Sequence, residues 1–106
     1  MIVISYPTRE LSRRCTQLEL AQDWLGVTDA QALVDLIADA EAFDNVQELM
    51  DFYNAEVRNG DFLLVRFSPG RQAVLRAGFS KTPSSDQGVP VWRKLRRLML
   101  IDVEEG

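Results

Sequence analysis

The chain has 106 residues, of which 46% are apolar, with one cysteine and no histidine. A chain of this length can bury a core of its own, so we expect a single domain over residues 1–106. The missing histidines exclude imidazole catalysis. Together with the lone cysteine they argue against a zinc site and an internal disulfide, and we expect no metal and no cofactor.

The net charge of −4 hides an uneven distribution along the chain. Residues 1–57 carry three arginines against eleven acidic residues, whereas residues 58–98 carry nine basic residues against two acidic ones. Such a basic segment can attract an anionic partner locally, although an ordinary solvated surface would look the same. No apolar run approaches the roughly 18 residues of a membrane span and no leader is recognisable, so we expect a cytoplasmic protein without membrane contact.

The first part of the chain predicts a strand followed by a helix. Met1–Tyr6 is short and β-branched and stops at Pro7, which is typical of a strand. Thr8 is suited to cap the helix that follows, and Gly26 to end it. The buried stripe of this helix runs at helical spacing through Leu11, Cys15, Leu18, Ala21 and Leu25.

A second helix is predicted from Thr28-x-x-Gln31, which has the pattern of a capping box, and it continues through Phe43. One or two residues separate the helices, so they should form an antiparallel hairpin. A similar capping pattern at 44–47 predicts a short third helical turn ending near Met50. The outer surface of this region is acidic, with Asp35, Asp39, Glu41, Asp44 and Glu48.

The second half of the chain shows the alternation of strands. Asp61–Phe67 follows Asn59-Gly60, a dipeptide that favours a tight hairpin turn. Arg71–Phe79 and Val91–Val103 are the next two predicted strands, the last one after a loop at 82–90. The order β-α-α-β-β-β predicts an α+β fold in which the N-terminal strand and the helical hairpin pack on one face of a mainly antiparallel sheet.

Alternation assigns the side chains of the late strands to two faces. The helices should cover Leu63, Val65, Phe67, Ala73, Leu75, Ala77, Phe79, Leu95, Met99 and Ile101. The opposite face should present Arg66, Arg76, Lys94 and Arg96, with Phe62, Leu64, Val74, Leu98 and Leu100 lying between the cations. Arginine binds phosphate in a bidentate manner, so this basic face is the candidate site.

Chemistry at a phosphate also needs an acid and a base. The aromatic hydroxyls and late carboxylates that could serve are Tyr6, Tyr53, Glu104 and Glu105, and none has a spacing that compels the assignment. Cys15 lies on the buried stripe of the first helix, which favours a packing role over a nucleophilic one.

Several spaced motifs resemble a known family. They are R-x-L-x-R-x-C at Arg9–Cys15, L-G-x-x-x-A-x-x-L at Leu25–Leu33, G-x-x-x-V at Gly70–Val74 and G-V-x-x-W-x-x-L-x-R-L at Gly88–Leu98. Together they resemble the plasmid-maintenance killer proteins of the RelE/HigB toxin superfamily and cover nearly the whole chain. The resemblance implies a small α+β domain, a cognate helix-turn-helix antitoxin as partner, and metal-independent cleavage of messenger RNA on the ribosome.

The catalytic motif of that family is degenerate in this chain. Relatives commonly carry a tyrosine-arginine pair after the turn glycine, where this chain has Arg71 and Gln72, and many end in Asp-Tyr-His, where this chain ends in Val-Glu-Glu-Gly. Two functions therefore stay open. In the first, the chain is a toxin-like RNA endonuclease in which Arg71, Arg76 and Lys94 are catalytic, and RNA is bound by Arg66, Arg71, Arg76, Lys94 and Arg96. In the second, it is an inactive relative that binds an antitoxin or repressor helix through Phe62, Leu64 and Leu98.

Overall fold

The computed structural model describes residues 1–59, 62–77 and 92–105. Within these ranges, one strand is followed by four helices and then by four further strands. The helices are α1 (Arg9–Thr16), α2 (Leu18–Leu25), α3 (Val27–Ala42) and α4 (Val46–Tyr53). The strands are β1 (Val3–Ser5), β2 (Glu56–Arg58), β3 (Phe62–Ser68), β4 (Arg71–Arg76) and β5 (Arg97–Glu105), and a 3-10 turn at Trp92–Lys94 precedes β5. The predicted α+β fold is confirmed.

The first predicted helix is divided at Gln17, whose extended backbone (φ −109°, ψ 113°) separates α1 from α2. Thr8 caps α1 as predicted, since its hydroxyl accepts a hydrogen bond from the Leu11 N–H at 3.1 Å. At the other end, the Thr16 hydroxyl donates to the Ser12 carbonyl at 2.7 Å, a side-chain contact that often bends helices. The predicted stripe is interrupted at the break: Leu18, the first residue of α2, is 40% exposed, so its predicted burial is wrong, whereas Cys15 before it and Ala21 and Leu25 after it are buried. The apolar spacing of the sequence runs across the break and therefore could not show it.

Gly26 both ends α2 and precedes α3, with a positive φ of 86° that L side chains rarely adopt. The capping box predicted at Thr28 and Gln31 is wrong, because α3 already begins at Val27 and has no side-chain cap. The Gln31 amide donates instead to Asp35 Oδ1, one turn later, at 3.0 Å. Gly26 is the C-cap residue of α2 and the N-cap residue of α3, and it takes the place of the Thr28 cap that the sequence pattern indicated.

The third predicted helical turn is a full helix, α4, which runs three residues beyond Met50. Its start has reciprocal capping: Asn45 Oδ1 accepts from the Glu48 N–H at 3.1 Å, and Glu48 Oε1 accepts from the Asp44 N–H at 2.9 Å. Its end is formed by Asn54 in the left-handed conformation, with φ 53° and ψ 48°. At both ends of α4, backbone groups that would otherwise lack a hydrogen-bond partner are thus paired with nearby side chains or backbone.

The strands form a five-stranded sheet in the order β1-β5-β4-β3-β2. β1 pairs with β5 in parallel, and the remaining neighbours are antiparallel, which confirms the mainly antiparallel prediction. β2 was not predicted: its three residues are all exposed, so it has no apolar face for a pattern to reveal. The helices and one face of the sheet share a single core that includes Ile2, Leu33, Leu49, Leu63 and Leu98.

The last strand differs most from its prediction. It begins at Arg97 rather than Val91, and its register against β4 shifts, with Val74 opposite Asp102 but Leu75 opposite Leu100. This β-bulge reverses the alternation, so Leu98, Leu100 and Val103 all enter the core. The predicted core positions Met99 and Ile101 are only half-buried. Predicted Phe79 and the loop at 82–90 lie outside the described residues.

Among the described residues, no helix combines the length and apolar character needed to cross a membrane.

Candidate functional site

The sheet has one face away from the helices, called here the open face. Alternation from the core residues Leu63, Leu75 and Leu98 defines it. It carries, in strand order, Glu56 and Arg58 from β2, Phe62, Leu64 and Arg66 from β3, Gln72, Val74 and Arg76 from β4, and Met99, Asp102 and Glu104 from β5. The open face is the surface on which the sequence placed the candidate site.

Two of the five cations predicted to bind RNA lie on the open face. Arg66 and Arg76 are both exposed, on the neighbouring strands β3 and β4. Arg66 is opposite Gln72, and Arg76 is opposite Phe62. Three residues of β3 therefore lie between Arg66 and the residue that pairs with Arg76. The Arg76 guanidinium carbon lies 5.5 Å from the centroid of the Phe62 ring, a cation–π contact.

Arg71 lies on the opposite side of the sheet. It is two residues before the core residue Ala73 in the same strand, so both side chains point to the same side of the sheet. Its Nε is 3.4 Å from Oδ2 of Asp29 in α3. About a quarter of each of these two side chains is exposed. The placement of Arg71 beside the other cations is therefore wrong, since this arginine joins the sheet to a helix.

Lys94 and Arg96 also leave the predicted face, because the segment before Arg97 is not a strand. Lys94 is exposed in the 3-10 turn. The Arg96 Nε donates to the Asp44 carbonyl at 3.3 Å, and the neighbouring Leu95 carbonyl accepts from the Val46 N–H at 2.9 Å. Both contacts tie this segment to the start of α4 and hold it away from the open face.

The three predicted partner-binding residues are divided in the same way. Phe62 is half-buried and Leu64 is 9% exposed, both on the open face. Leu98 is fully buried in the core between sheet and helices. Its predicted exposure to a partner is wrong, and the cause is the bulge that reverses the alternation in β5.

A polar cluster that the sequence did not indicate spans the open face. Arg58 of β2 forms a salt bridge with Glu104 of β5, Nη2 to Oε1 at 2.7 Å. Gln72 of β4 donates to the same oxygen at 2.7 Å. Because β3 and β4 lie between β2 and β5, this cross-sheet cluster connects side chains across two intervening strands. The turn dipeptide Asn59-Gly60 indicates a hairpin, and a hairpin needs a strand before β3. That strand is β2, which carries Arg58, so the dipeptide was the sequence signal that could have pointed to this arginine.

The cross-sheet cluster changes the acidity of its members. The hydrogen bond from Arg58, and then that from Gln72, lower the pKa of Glu104 below its usual value. The same hydrogen bond to Glu104 raises the pKa of Arg58. Glu104, one of the candidate acids and bases, is therefore a stable carboxylate at neutral pH.

Two cavities flank the cluster. One, of about 290 Å³, is lined by Glu56, Leu64, Arg66, Gln72 and the end of α4. The other, of about 270 Å³, is lined by Arg58, Phe62, Val74, Ile101, Asp102 and Glu104. Each has apolar side chains together with both an arginine and a carboxylate.

The two tyrosines considered for proton transfer are poorly suited to it. Burial raises the pKa of Tyr6 to about 12, with smaller electrostatic contributions from Cys15 and Glu41. Burial also raises the pKa of Tyr53, as does the hydrogen bond that its hydroxyl donates to Asp39 Oδ2 at 2.7 Å. Neither hydroxyl ionises near neutral pH, so neither can act there as a general base.

Among the described residues, no three histidine, cysteine or acidic side chains cluster as metal ligands would. Comparisons of the chain with protein-family models, with curated proteins and with solved structures found no match.

Proposed function

We propose that this chain is a toxin-like component of a type II toxin–antitoxin pair that acts as a protein-binding module. Its open face would receive an amphipathic helix of an antitoxin or repressor. The toxin-like lineage rests on the spaced motifs of the sequence. The observation that carries the protein-binding role is the mixed charge of the open face, where Glu56, Asp102 and Glu104 line the same two cavities as Arg58 and Arg66.

Mixed charge favours a protein over a nucleic acid. An RNA backbone carries one sign of charge, and affinity for it depends on phosphate neutralisation by Lys and Arg. On the open face, the phosphates of an RNA would also lie close to carboxylates, and the repulsion between these like charges would weaken binding. A protein helix can present carboxylates to Arg66 and basic groups to Glu56 and Asp102, so both signs find partners.

The cavities suit anchoring side chains. Leu64 and Val74 are cross-strand neighbours, and each forms part of the apolar lining of one cavity. Two apolar residues on one face of a partner helix, one per cavity, would bury themselves on either side of the cross-sheet cluster. Charged residues around those anchors would then fix the register of the helix.

The second candidate is the metal-independent, ribosome-associated messenger RNA endonuclease. It is favoured by Arg66 and Arg76, which lie exposed on the same face of the sheet. Against it, Arg71 binds Asp29, and Lys94 and Arg96 lie next to α4. The candidate acids and bases with shifted pKa values, Tyr6, Tyr53 and Glu104, are all shifted away from neutrality.

The test is co-expression with the product of an adjacent helix-turn-helix reading frame, followed by measurement of the affinity of the purified complex. We expect Arg66→Glu to weaken the complex by about tenfold or more, because it places a carboxylate opposite the partner's own. Arg93→Glu is the matched control, since Arg93 is exposed in the 3-10 turn, and it should bind as the wild type does.

The same preparations would be incubated with translating ribosomes and messenger RNA. The proposal expects intact RNA with the wild type and with Arg76→Ala alike. Cleavage by the wild type that is lost in Arg76→Ala would overturn the proposal in favour of the endonuclease. Equal affinity of the Arg66→Glu and wild-type complexes would overturn the assignment of the open face.

A further inference from the structure

A second surface, on the helical side, collects basic residues in an otherwise acidic region. Arg9, Arg13 and Arg14 of α1 line a groove of about 440 Å³ together with Glu10 and Leu20, the last from α2. These three arginines are every basic residue in the first 57 residues of the chain, which also contain eleven acidic residues. This groove, called here the arginine groove, is therefore a basic site within a segment whose net charge is negative.

Helix stability does not account for all three arginines. Arg13 and Arg14 lie in the last turn of α1, where cations interact favourably with the helix dipole. Arg9 is the first residue of the helix, where a cation is unfavourable. Arg9 and Arg13 are also four residues apart, and like charges at this spacing destabilise a helix.

The contacts within the groove leave two of the arginines available. Arg14 forms an ion pair with Glu10 at 2.7 Å, and its guanidinium carbon lies 5.6 Å from the centroid of the Trp24 ring. Within the described part of the chain, neither Arg9 nor Arg13 forms an ion pair, and both are exposed. An anion entering the groove would therefore meet two guanidinium groups that need not first release a partner.

We propose that the arginine groove binds a short acidic segment of a partner protein. Carboxylates of the segment would pair with Arg9 and Arg13, and an adjacent apolar side chain would pack on Leu20. A peptide supplies both groups, whereas an RNA backbone supplies only the charge. The groove also holds the carboxylate of Glu10, which a phosphate chain running along it would meet.

The test uses two peptides: one in which leucines alternate with pairs of glutamates, and the same peptide with every glutamate replaced by glutamine. Binding is followed by NMR through the indole N–H signal of Trp24, which lies beside Arg14. We expect saturable binding of the acidic peptide that weakens with salt. The double variant Arg9→Gln/Arg13→Gln should weaken it about fivefold or more, as for the loss of two exposed ion pairs.

The matched control is Arg93→Gln/Arg97→Gln, which removes the same charge at two exposed positions outside the groove. It should bind the acidic peptide with wild-type affinity. Because glutamine keeps the helix propensity of arginine, the groove variant should retain the wild-type circular dichroism spectrum. Retained structure with lost binding would support the groove as the site.

Three outcomes would overturn the proposal. The first is equal weakening by the two double variants, which would mean that overall charge alone attracts the peptide. The second is equal binding of the glutamate and glutamine peptides. The third is tighter binding of a single-stranded RNA oligonucleotide of the same charge than of the acidic peptide, with the loss confined to the Arg9→Gln/Arg13→Gln variant. That result would assign the groove to nucleic acid.

Discussion

Cys15 is buried in the core, and desolvation raises the pKa of its thiol from 9.0 to about 12. Between these values the unfolded chain loses the thiol proton while the folded chain keeps it, so stability falls as pH rises through this range. Burial of Tyr6, with a pKa raised from 10.0 to about 12, acts in the same direction. We expect a lower free energy of unfolding in urea at about pH 10.5 than at about pH 8.

Cys15→Ala separates the contribution of the thiol from that of the tyrosines. The variant loses packing at every pH, but its stability should depend less steeply on pH than that of the wild type. An unchanged slope, or rapid reaction of the native thiol with an alkylating reagent at neutral pH, would contradict the burial of Cys15.

The hydrogen bond from Tyr53 to Asp39 joins the end of α4 to α3. Removing it with Tyr53→Phe leaves a partly buried carboxylate without its donor, which should cost about 1–2 kcal/mol of unfolding free energy in urea. Asp39→Asn keeps an acceptor and should cost less. If the two variants match the wild type, this bond does not hold α4 in place.

The bulge in β5 decides which of its side chains are buried, and neighbouring residues test it. Leu98 is fully buried, so Leu98→Ala should lower the free energy of unfolding by about 2–5 kcal/mol. Met99 lies on the open face and is half-buried, so Met99→Ala should cost only about 1 kcal/mol. Urea unfolding that ranks the two variants in the opposite order would restore the register expected from simple alternation.

The cross-sheet cluster connects the short edge strand β2 to β5. Glu104→Gln removes the carboxylate that Arg58 and Gln72 share, so the amide protons of Glu56–Arg58 should exchange faster with solvent. The amide protons of α3 serve as an internal reference and should be unaffected. Unchanged exchange in β2 would show that backbone pairing with β3 alone fixes the strand.

The elements differ in how far the sequence predicted them, for reasons that can be named. β3, β4 and most helical positions followed from apolar spacing, because each of these elements places side chains in the core at regular intervals. β1 has no buried residue, and it followed instead from its β-branched residues and the stop at Pro7. β2 has no buried residue, and the apolar spacing of the sequence runs across the break at Gln17 even though Leu18 beyond it is exposed, so neither feature shows in the hydrophobic pattern. The bulge in β5 depends on pairing with β4, which a single segment does not reveal.

At the scale of the molecule, the predicted and observed sites differ in which basic residues lie on the open face. Arg66 and Arg76 lie on regular strands, and their exposure on the open face was predictable. The side chain of Arg71 points to the helix-covered side of the sheet. Its partner Asp29 is 42 positions away in sequence, a contact that no local sequence pattern can reveal. Lys94 and Arg96 were misplaced because their segment is a turn rather than a strand.

The most direct test of the open face as a protein-binding surface is a methyl NMR titration of the wild-type chain. The methyl signals of Leu64 and Val74 report on the open face, and those of Leu33 and Leu100 report on the core. We predict that the product of an adjacent helix-turn-helix reading frame shifts the first pair and leaves the second pair in place, whereas a single-stranded RNA shifts neither. Shifts of Leu64 and Val74 with RNA, and none with the protein, would contradict the account.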